Sequence, residues 1–265
     1  MSIKKYFYYL ASIWKLLTGI EPISGVIQAF IRPGISQERV IKLRQYGLSF
    51  NTRGGHNIWS IKETFLDRFY EKFGTSIGEG WTVIDIGGGI GDFTIFVAAQ
   101  HPKNVVYAFE PTPGSFTLLQ DNLRLNQIDN AQVFPQAIWS QGGQVVIDTG
   151  TGQPGQFTSH LAEKSAAEGQ KVPVPSLSLE EAFEVTGLGH CNLMKIDCEG
   201  AEYEILFNAP DEILSRVERI VMEYHDNLGV YTHTDLEEFL TNKGFAVKSY
   251  PNYVHSYLGY LYASR

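Results

Sequence analysis

The sequence predicts an α/β fold, a mostly parallel sheet with helices packed on both of its faces. Two observations predict it. From Trp81 onward, short apolar runs alternate with segments of helical periodicity, and strands separated by helices pair in parallel. The second is Asp85-Ile86-Gly87-Gly88-Gly89-Ile90-Gly91-Asp92-Phe93, a glycine-rich turn placed where a strand passes into a helix. In such sheets, ligands sit outside the carboxyl ends of the strands.

Taken in order, the chain opens with two lysines and an apolar stretch. Lys15 interrupts that stretch, and no small-x-small cleavage site follows, which argues against a signal peptide. The run is also too short and too charged to span a bilayer. Ile3, Tyr6, Phe7, Leu10, Ile13, Trp14 and Leu17 recur at helical spacing, so an amphipathic helix is expected. Its apolar face is expected to pack on the domain or on a second copy in a homodimer. The alternative is a peripheral membrane contact, given the aromatics with Lys4, Lys5 and Lys15. Residues 1–75 are read as this helix and a cap, 76–265 as the main domain, and 139–176 as an insertion. Within the cap, residues 37–45 are expected to be helical, 46–52 a short strand and 53–56 a turn. Residues 58–73 continue with helical periodicity through Phe65, Leu66 and Phe69.

The main domain is expected to run strand 81–86, helix 93–100, strand 105–109, helix 115–125 and strand 131–137. In the insertion, residues 145–147 read as an extra strand and 150–155 as a Gly/Pro loop. Residues 172–175 read as an edge strand, since their prolines exclude a central one. Ser178 with Glu181 forms a capping box that opens a helix to about residue 185. Strand 193–196, helix 201–207, strand 219–223 and a helix over 234–242 ending at Gly244 follow. Two final strands, 245–250 and 257–262, are joined by a short loop and expected to be antiparallel.

Charge and composition narrow the function. Of the 265 residues, 43% are hydrophobic and 19% charged, which suits a soluble globular protein. The formal net charge of -8 and the lack of any basic run argue against a nucleic-acid partner. The two cysteines, Cys191 and Cys198, have neither zinc nor redox spacing. Reduced structural thiols fit a cytoplasmic location, or a membrane-peripheral one if the first helix anchors.

The glycine turn separates three nucleotide-binding chemistries. A P-loop needs Gly-Lys-Ser/Thr, and no lysine follows these glycines. A dinucleotide fingerprint G-x-G-x-x-G starting at Gly87 would place Asp92 at its sixth position, which disfavours an NAD(P)-dependent oxidoreductase. The spacing present is G-x-G-x-G, with Asp85 two residues before the first glycine, and it matches the first motif of methyltransferases. There an acid near the turn can face a cationic amino-acid group. Glu110, at the next strand end and followed by Pro111, has the position of the acid that accepts hydrogen bonds from ribose hydroxyls. Asp197 and Glu199 follow the 193–196 strand. Glu223 and His225 lie two apart, so both lean to one side of an extended segment and are general acid/base candidates. The other histidines show no metal-ligand spacing, and no metal site is assigned. A Mg²⁺-assisted variant would use Asp197, Asp226 and Asn227. A non-catalytic binding module is disfavoured by the four acids Asp85, Glu110, Asp197 and Glu199.

Over residues 61–223 the chain resembles the FkbM family of S-adenosylmethionine-dependent methyltransferases. The resemblance rests on Ile61-Lys62-Glu63-Thr64-Phe65, Tyr70, Val83-Ile84-Asp85-Ile86-Gly87 with Gly91, and Phe109-Glu110-Pro111. It continues through residues 118–122 and 177–182, Met194-Lys195-Ile196-Asp197-Cys198-Glu199-Gly200-Ala201-Glu202, and Glu223-Tyr224-His225. Glu180 stands where the family often has Asp. The resemblance implies a Rossmann-like class I methyltransferase fold with seven strands, the last antiparallel, beneath an N-terminal helical cap. It implies S-adenosyl-L-methionine as cofactor and O-methylation of a hydroxyl on a sugar, lipid or secondary metabolite. The donor would lie against Asp85, Gly87, Gly89 and Gly91, with Asp92, Phe93 and Asp197 beside them. Glu110 and Pro111 would hold the ribose, and Gln136 and Ala137 would border the adenine. His225 is the first choice of base, ahead of Glu199, Asp197 and Glu223. Glu63 would reach the site from the cap, although an exposed helix-surface carboxylate is the plainer expectation.

Overall fold

The computed structural model describes residues 3–31, 38–148, 158–159, 171–252 and 254–265. Its centre is a seven-stranded sheet: β1 (Thr82–Ile86), β2 (Val105–Phe109), β3 (Ala131–Phe134), β4 (Leu193–Ile196), β5 (Arg219–His225), β6 (Ala246–Pro251) and β7 (Leu258–Ser264). The spatial order is β6-β7-β5-β4-β1-β2-β3. β3, β2, β1, β4 and β5 run parallel, and β7 is antiparallel to both β5 and β6. The fold is the α/β methyltransferase architecture expected. β1 and β4 are buried almost throughout, because helices cover both faces of a parallel sheet. Topology reverses between β1 and β4, so their carboxyl ends open a crevice.

The α-helices of six residues or more are α1 (Ile3–Gly19), α2 (Ile23–Ile31), α3 (Gly54–Ile61), α4 (Asp92–Gln100), α5 (Pro113–Leu125), α6 (Leu179–Thr186), α7 (Glu202–Phe207) and α8 (His233–Asn242). α6 starts with the expected capping box, Ser178 Oγ accepting from the Glu181 amide and Glu181 accepting from the Ser178 amide. A cap of this kind is worth about 1 kcal/mol. The cap shares a core with one face of the sheet. Phe65 packs edge-on against Phe50 and Phe96, with centroids 5.5 and 5.3 Å away.

Several local expectations change. Residues 37–45 are not helical. Glu38–Leu43 is a strand paired antiparallel with Ser49–Arg53, and Ile41 and Leu43 alternate inward on it. The 53–56 segment opens α3 rather than making a free turn. The periodic run over 58–73 is not one helix. After α3 it passes into a π-helical turn, Lys62–Asp67, ends at Arg68 with φ of 51°, and restarts as Phe69–Lys72. Lys171–Leu177 is not a simple edge strand, since it pairs antiparallel with Gly143–Asp148 and parallel with Ala137–Ile138. The parallel pairing involves only Ser176 and Leu177, beyond Pro173 and Pro175, so neither proline has to donate on that side. The 150–155 loop lies outside the described residues.

The first helix forms, but its apolar face is turned away from the domain. Tyr6, Phe7 and Trp14 are 57%, 65% and 70% exposed. What docks is the opposite face, with Leu16 buried and Lys15 bonded to Asp67 over 2.6 Å. No helix among the described residues is long and apolar enough to cross a membrane.

Candidate functional site

Two adjoining cavities lie over the carboxyl ends of β1, β4 and β5. The first, of about 350 Å³, is walled by the glycine turn, the β2 end and the β4 end, a size typical of small-ligand sites. Gly87 sets its floor. Its φ is +79°, and a Cβ there would come within 1.9 Å of the Asp197 carbonyl oxygen, so only glycine lets the β1 and β4 ends meet. The Gly87 and Gly88 amides both donate to Phe109 O at 3.0 Å. Beneath the turn, Lys195 lies opposite Asp85 in the parallel ladder. Its ammonium sits 3.0 Å from Asp85 and donates to Gly87 O at 2.7 Å. Burial pushes the Asp85 carboxyl up, against Lys195 and the Thr94 hydroxyl, which hold it down.

Glu110 clamps the turn from the side. Its carboxylate accepts the Gly89 amide and the Thr112 amide, each at 2.8 Å. Burial raises this carboxyl, and those hydrogen bonds oppose the rise. Asp92 opens α4 and accepts from Ser60 over 2.9 Å and from Thr64, tying the cap to the turn. The Cys198 thiol, on the same wall, is pushed well up by burial and the neighbouring carboxylates. Burial likewise pushes Cys191 up to about 12, so neither is a ready nucleophile.

Of the residues expected at the donor, Gly87, Gly89, Asp92, Glu110, Pro111, Ala137 and Asp197 line this cavity. Asp85, Gly91, Phe93 and Gln136 stand behind that lining. Asp85 is fully buried and supports the turn through Lys195, so it does not face an amino-acid group directly. Phe93 packs edge-on against Tyr70. The Gln136 side-chain oxygen is buried and has no hydrogen-bond partner among the described residues.

The second cavity, of about 710 Å³, adjoins the first, and Glu199 and His56 border both. Its inner end holds Glu63, Glu199, Glu223 and His225. The β4–α7 loop that brings Glu199 here is bent. Glu199 has φ of 50° and Gly200 of 103°, a strain that needs outside support. Glu202 supplies it, accepting the Cys198 amide at 3.2 Å and the Gly200 amide at 2.8 Å. The same carboxylate faces His225 Nδ1 at 3.0 Å, while Glu199 faces Nε2 at 3.2 Å. Burial lowers the His225 imidazole, but the two carboxylates outweigh it and hold it well above its usual value. His225 thereby sits between two carboxyl groups that favour its protonated form. Glu223 is pushed well up, by burial first and then by the Asp197 charge.

Three residues beside the two cavities, none of them in the lining of the second, were given no role in the sequence reading. Glu202 stood in a motif but without a role. Tyr70 donates to Asp197 over 3.0 Å. Lys62 is fully buried, paired with Asp67 at 2.6 Å and held 4.1 Å from the Trp59 ring centroid. Its signal was a lysine on an apolar helix face, four residues after Ile58. Glu63 is a correction. It is not an exposed surface carboxylate but a half-buried chamber wall, accepting from Trp59 Nε1 at 2.8 Å. Burial lifts its carboxyl to about 7, against the pull of Lys62.

A parallel sheet with one antiparallel strand, a G-x-G-x-G turn clamped by an acid, and a second chamber at the β4 and β5 ends together define a methyltransferase. Residues 85–247 match the methyltransferase FkbM domain, and the chain belongs to that family. S-adenosylmethionine is the family's donor, and the first cavity fits it. The 31-O-demethyl-FK506 methyltransferase FkbM of Streptomyces tacrolimicus is 28% identical over 222 residues, covering 74% of this chain and 85% of that protein. Methyltransferase 1 of Beauveria bassiana is 27% identical over 202 residues, covering 70% of this chain and 80% of its own length. The crystal structure of methyltransferase FkbM from Methylobacillus flagellatus shares the fold at TM-score 0.50 and 13% identity. That match covers 79% of this chain and 54% of that one.

Proposed function

We propose that this methyltransferase is an O-methyltransferase of a small-molecule acceptor, with Glu223 as the group that takes the hydroxyl proton. One observation carries the reading: the second chamber adjoins the donor cleft where Glu199, Glu223 and His225 converge. Bound S-adenosylmethionine supplies an activated methyl group. Gly87, Gly89, Glu110 and Asp197 would hold it, and the residues of the chamber do the rest. They align the acceptor hydroxyl, which supplies most of the rate advantage, and Glu223 receives the proton on a carboxylate oxygen.

Glu223 takes the role first given to His225 because both ring nitrogens of His225 already face carboxyl groups, which leaves neither free for an acceptor hydroxyl. A carboxyl group raised well above its ordinary value by burial is a better match to a hydroxyl proton than an ordinary one. His225 becomes a positioning residue that fixes Glu199. In the Mg²⁺-assisted variant, Asp226 is a poor ligand, since it is bonded to Tyr203 at 3.0 Å and to the His233 ring at 2.7 Å. The donor atoms of Asp197, Glu223 and His225 do lie within 4.8 Å of one another, but the imidazole nitrogens are engaged.

The test is a calorimetric titration with S-adenosylhomocysteine and with NADH, followed by turnover of Glu223→Gln on any acceptor found. S-adenosylhomocysteine should bind and NADH should not. The variant should lose on the order of 10²–10⁴ in turnover while binding S-adenosylhomocysteine as before. Unchanged turnover removes Glu223, and chelator-sensitive turnover restored by Mg²⁺ revives the metal reading.

A further inference from the structure

We infer that the acceptor is amphipathic: a hydroxyl-bearing polar head that reaches Glu223 and a flexible apolar tail that lies between α1 and α2. The inference rests on the methyl-transfer reading above and names its substrate class. The second chamber changes character along its length. Its inner end carries three carboxyl groups, the His225 imidazole and the Trp59 indole. Its outer end is bounded by Ile13 and Leu17 of α1 and by Ile27, Phe30 and Ile31 of α2. Among the described residues, Asn252 and His255 also line the chamber, which has no lysine or arginine and no carboxylate beyond Glu63, Glu199 and Glu223 in its lining.

A chamber that only had to seat a polar head would not need this half. At about 710 Å³ it holds roughly twice the space of the donor cleft at about 350 Å³. Apolar side chains gain by covering apolar surface, and each buried methylene contributes independently of direction. The wall therefore suits a chain rather than a shaped ring. The mouth adds a second observation. Ile27, Phe30 and Ile31 are both wall and surface, 45%, 43% and 72% exposed. A tail that outruns the chamber stays against apolar side chains, and exposed patches of this kind mark contact sites rather than ordinary surface. The acidic inner end disfavours an anionic head and suits a neutral polyol.

The probes are hexyl, octyl and decyl β-D-glucoside below their micellar concentrations, titrated with and without S-adenosylhomocysteine. One saturable site should appear, tightening roughly two- to fourfold for each added methylene. Ile27→Asp and Phe30→Asp should weaken octyl glucoside at least tenfold and flatten the series, with S-adenosylhomocysteine affinity unchanged. Trp14→Ser, on the outward face, should leave both intact. A flat chain-length series on the unaltered protein overturns the inference, even if the α2 variants fail to fold. So does a glucoside site lost equally in Trp14→Ser, and so does a dimer, seen by light scattering, that buries the mouth and excludes the glucosides. Absent S-adenosylhomocysteine binding would strike the methyl-transfer reading instead, while the glucoside series without it still decides this one.

Discussion

The two cavities share Glu199 and are built in opposite ways. The donor cleft is made of backbone. Its glycine turn is pinned by Phe109 O, Lys195 and Glu110, and nearly every polar group around it has a partner. The acceptor chamber is made of side chains from α1, α2, the π-helical turn, β5 and the β4–α7 loop. Its carboxyl groups are packed closely enough that burial and mutual repulsion raise Glu63 and Glu223. The first cavity is therefore limited by steric fit and the second by charge. Substitutions should follow that division.

The largest effect is expected at Gly87. A methyl group there meets the Asp197 carbonyl oxygen, so Gly87→Ala should weaken S-adenosylhomocysteine binding at least about a hundredfold, near 2.7 kcal/mol, and lower the melting temperature. Near-normal affinity would mean that the close approach of β1 and β4 is dispensable. Next comes Glu110→Ala, which strips acceptors from the Gly89 and Thr112 amides. Two unpaired amides should cost about ten- to a hundredfold in affinity, with Glu110→Gln recovering part of it. If calorimetry finds the alanine variant unchanged, the clamp is not what shapes the turn.

The smallest effect belongs to the chamber and is a gain. The folded chain holds a proton on Glu63 up to about pH 7, whereas the unfolded chain releases it near 4.5. Stability from this group is complete below 4.5 and is lost as pH rises through 7. Glu63→Gln keeps the Trp59 hydrogen bond and removes the titration. It should raise the melting temperature at pH 8 by a few degrees, at about 2–4 °C per kcal/mol, and by less at pH 5. A fall at pH 8 would show that the charge is needed where it stands.

The same division explains what could be read in the sequence. The donor cleft was legible because its residues sit in short contiguous runs at strand ends, Asp85–Asp92 and Phe109–Pro111, where local spacing carries the geometry. Even there, which residues face the cavity was not local information. Asp85 turned out to lie underneath because Lys195, 110 positions later in the chain, is opposite it in the sheet. The inner end of the chamber was legible in part, since Glu63, Glu199, Glu223 and His225 stand in recognisable runs. Its outer walls were not, because Ile13, Ile27 and Leu258 are joined by no motif. Residues 37–45 looked helical from their straight-chain charged residues, yet the inward alternation of Ile41 and Leu43 and a partner strand prevailed. The apolar face of α1 was seen correctly as a face, but only packing could show which way it turns.

Asp92 joins the two compartments mechanically. Through Ser60 and Thr64 it fastens the cap, which walls the chamber, to the first turn of α4, which walls the cleft. Whatever steadies one wall steadies the other, and by reciprocity any factor by which an occupant of the chamber tightens the donor is the factor by which the donor tightens that occupant.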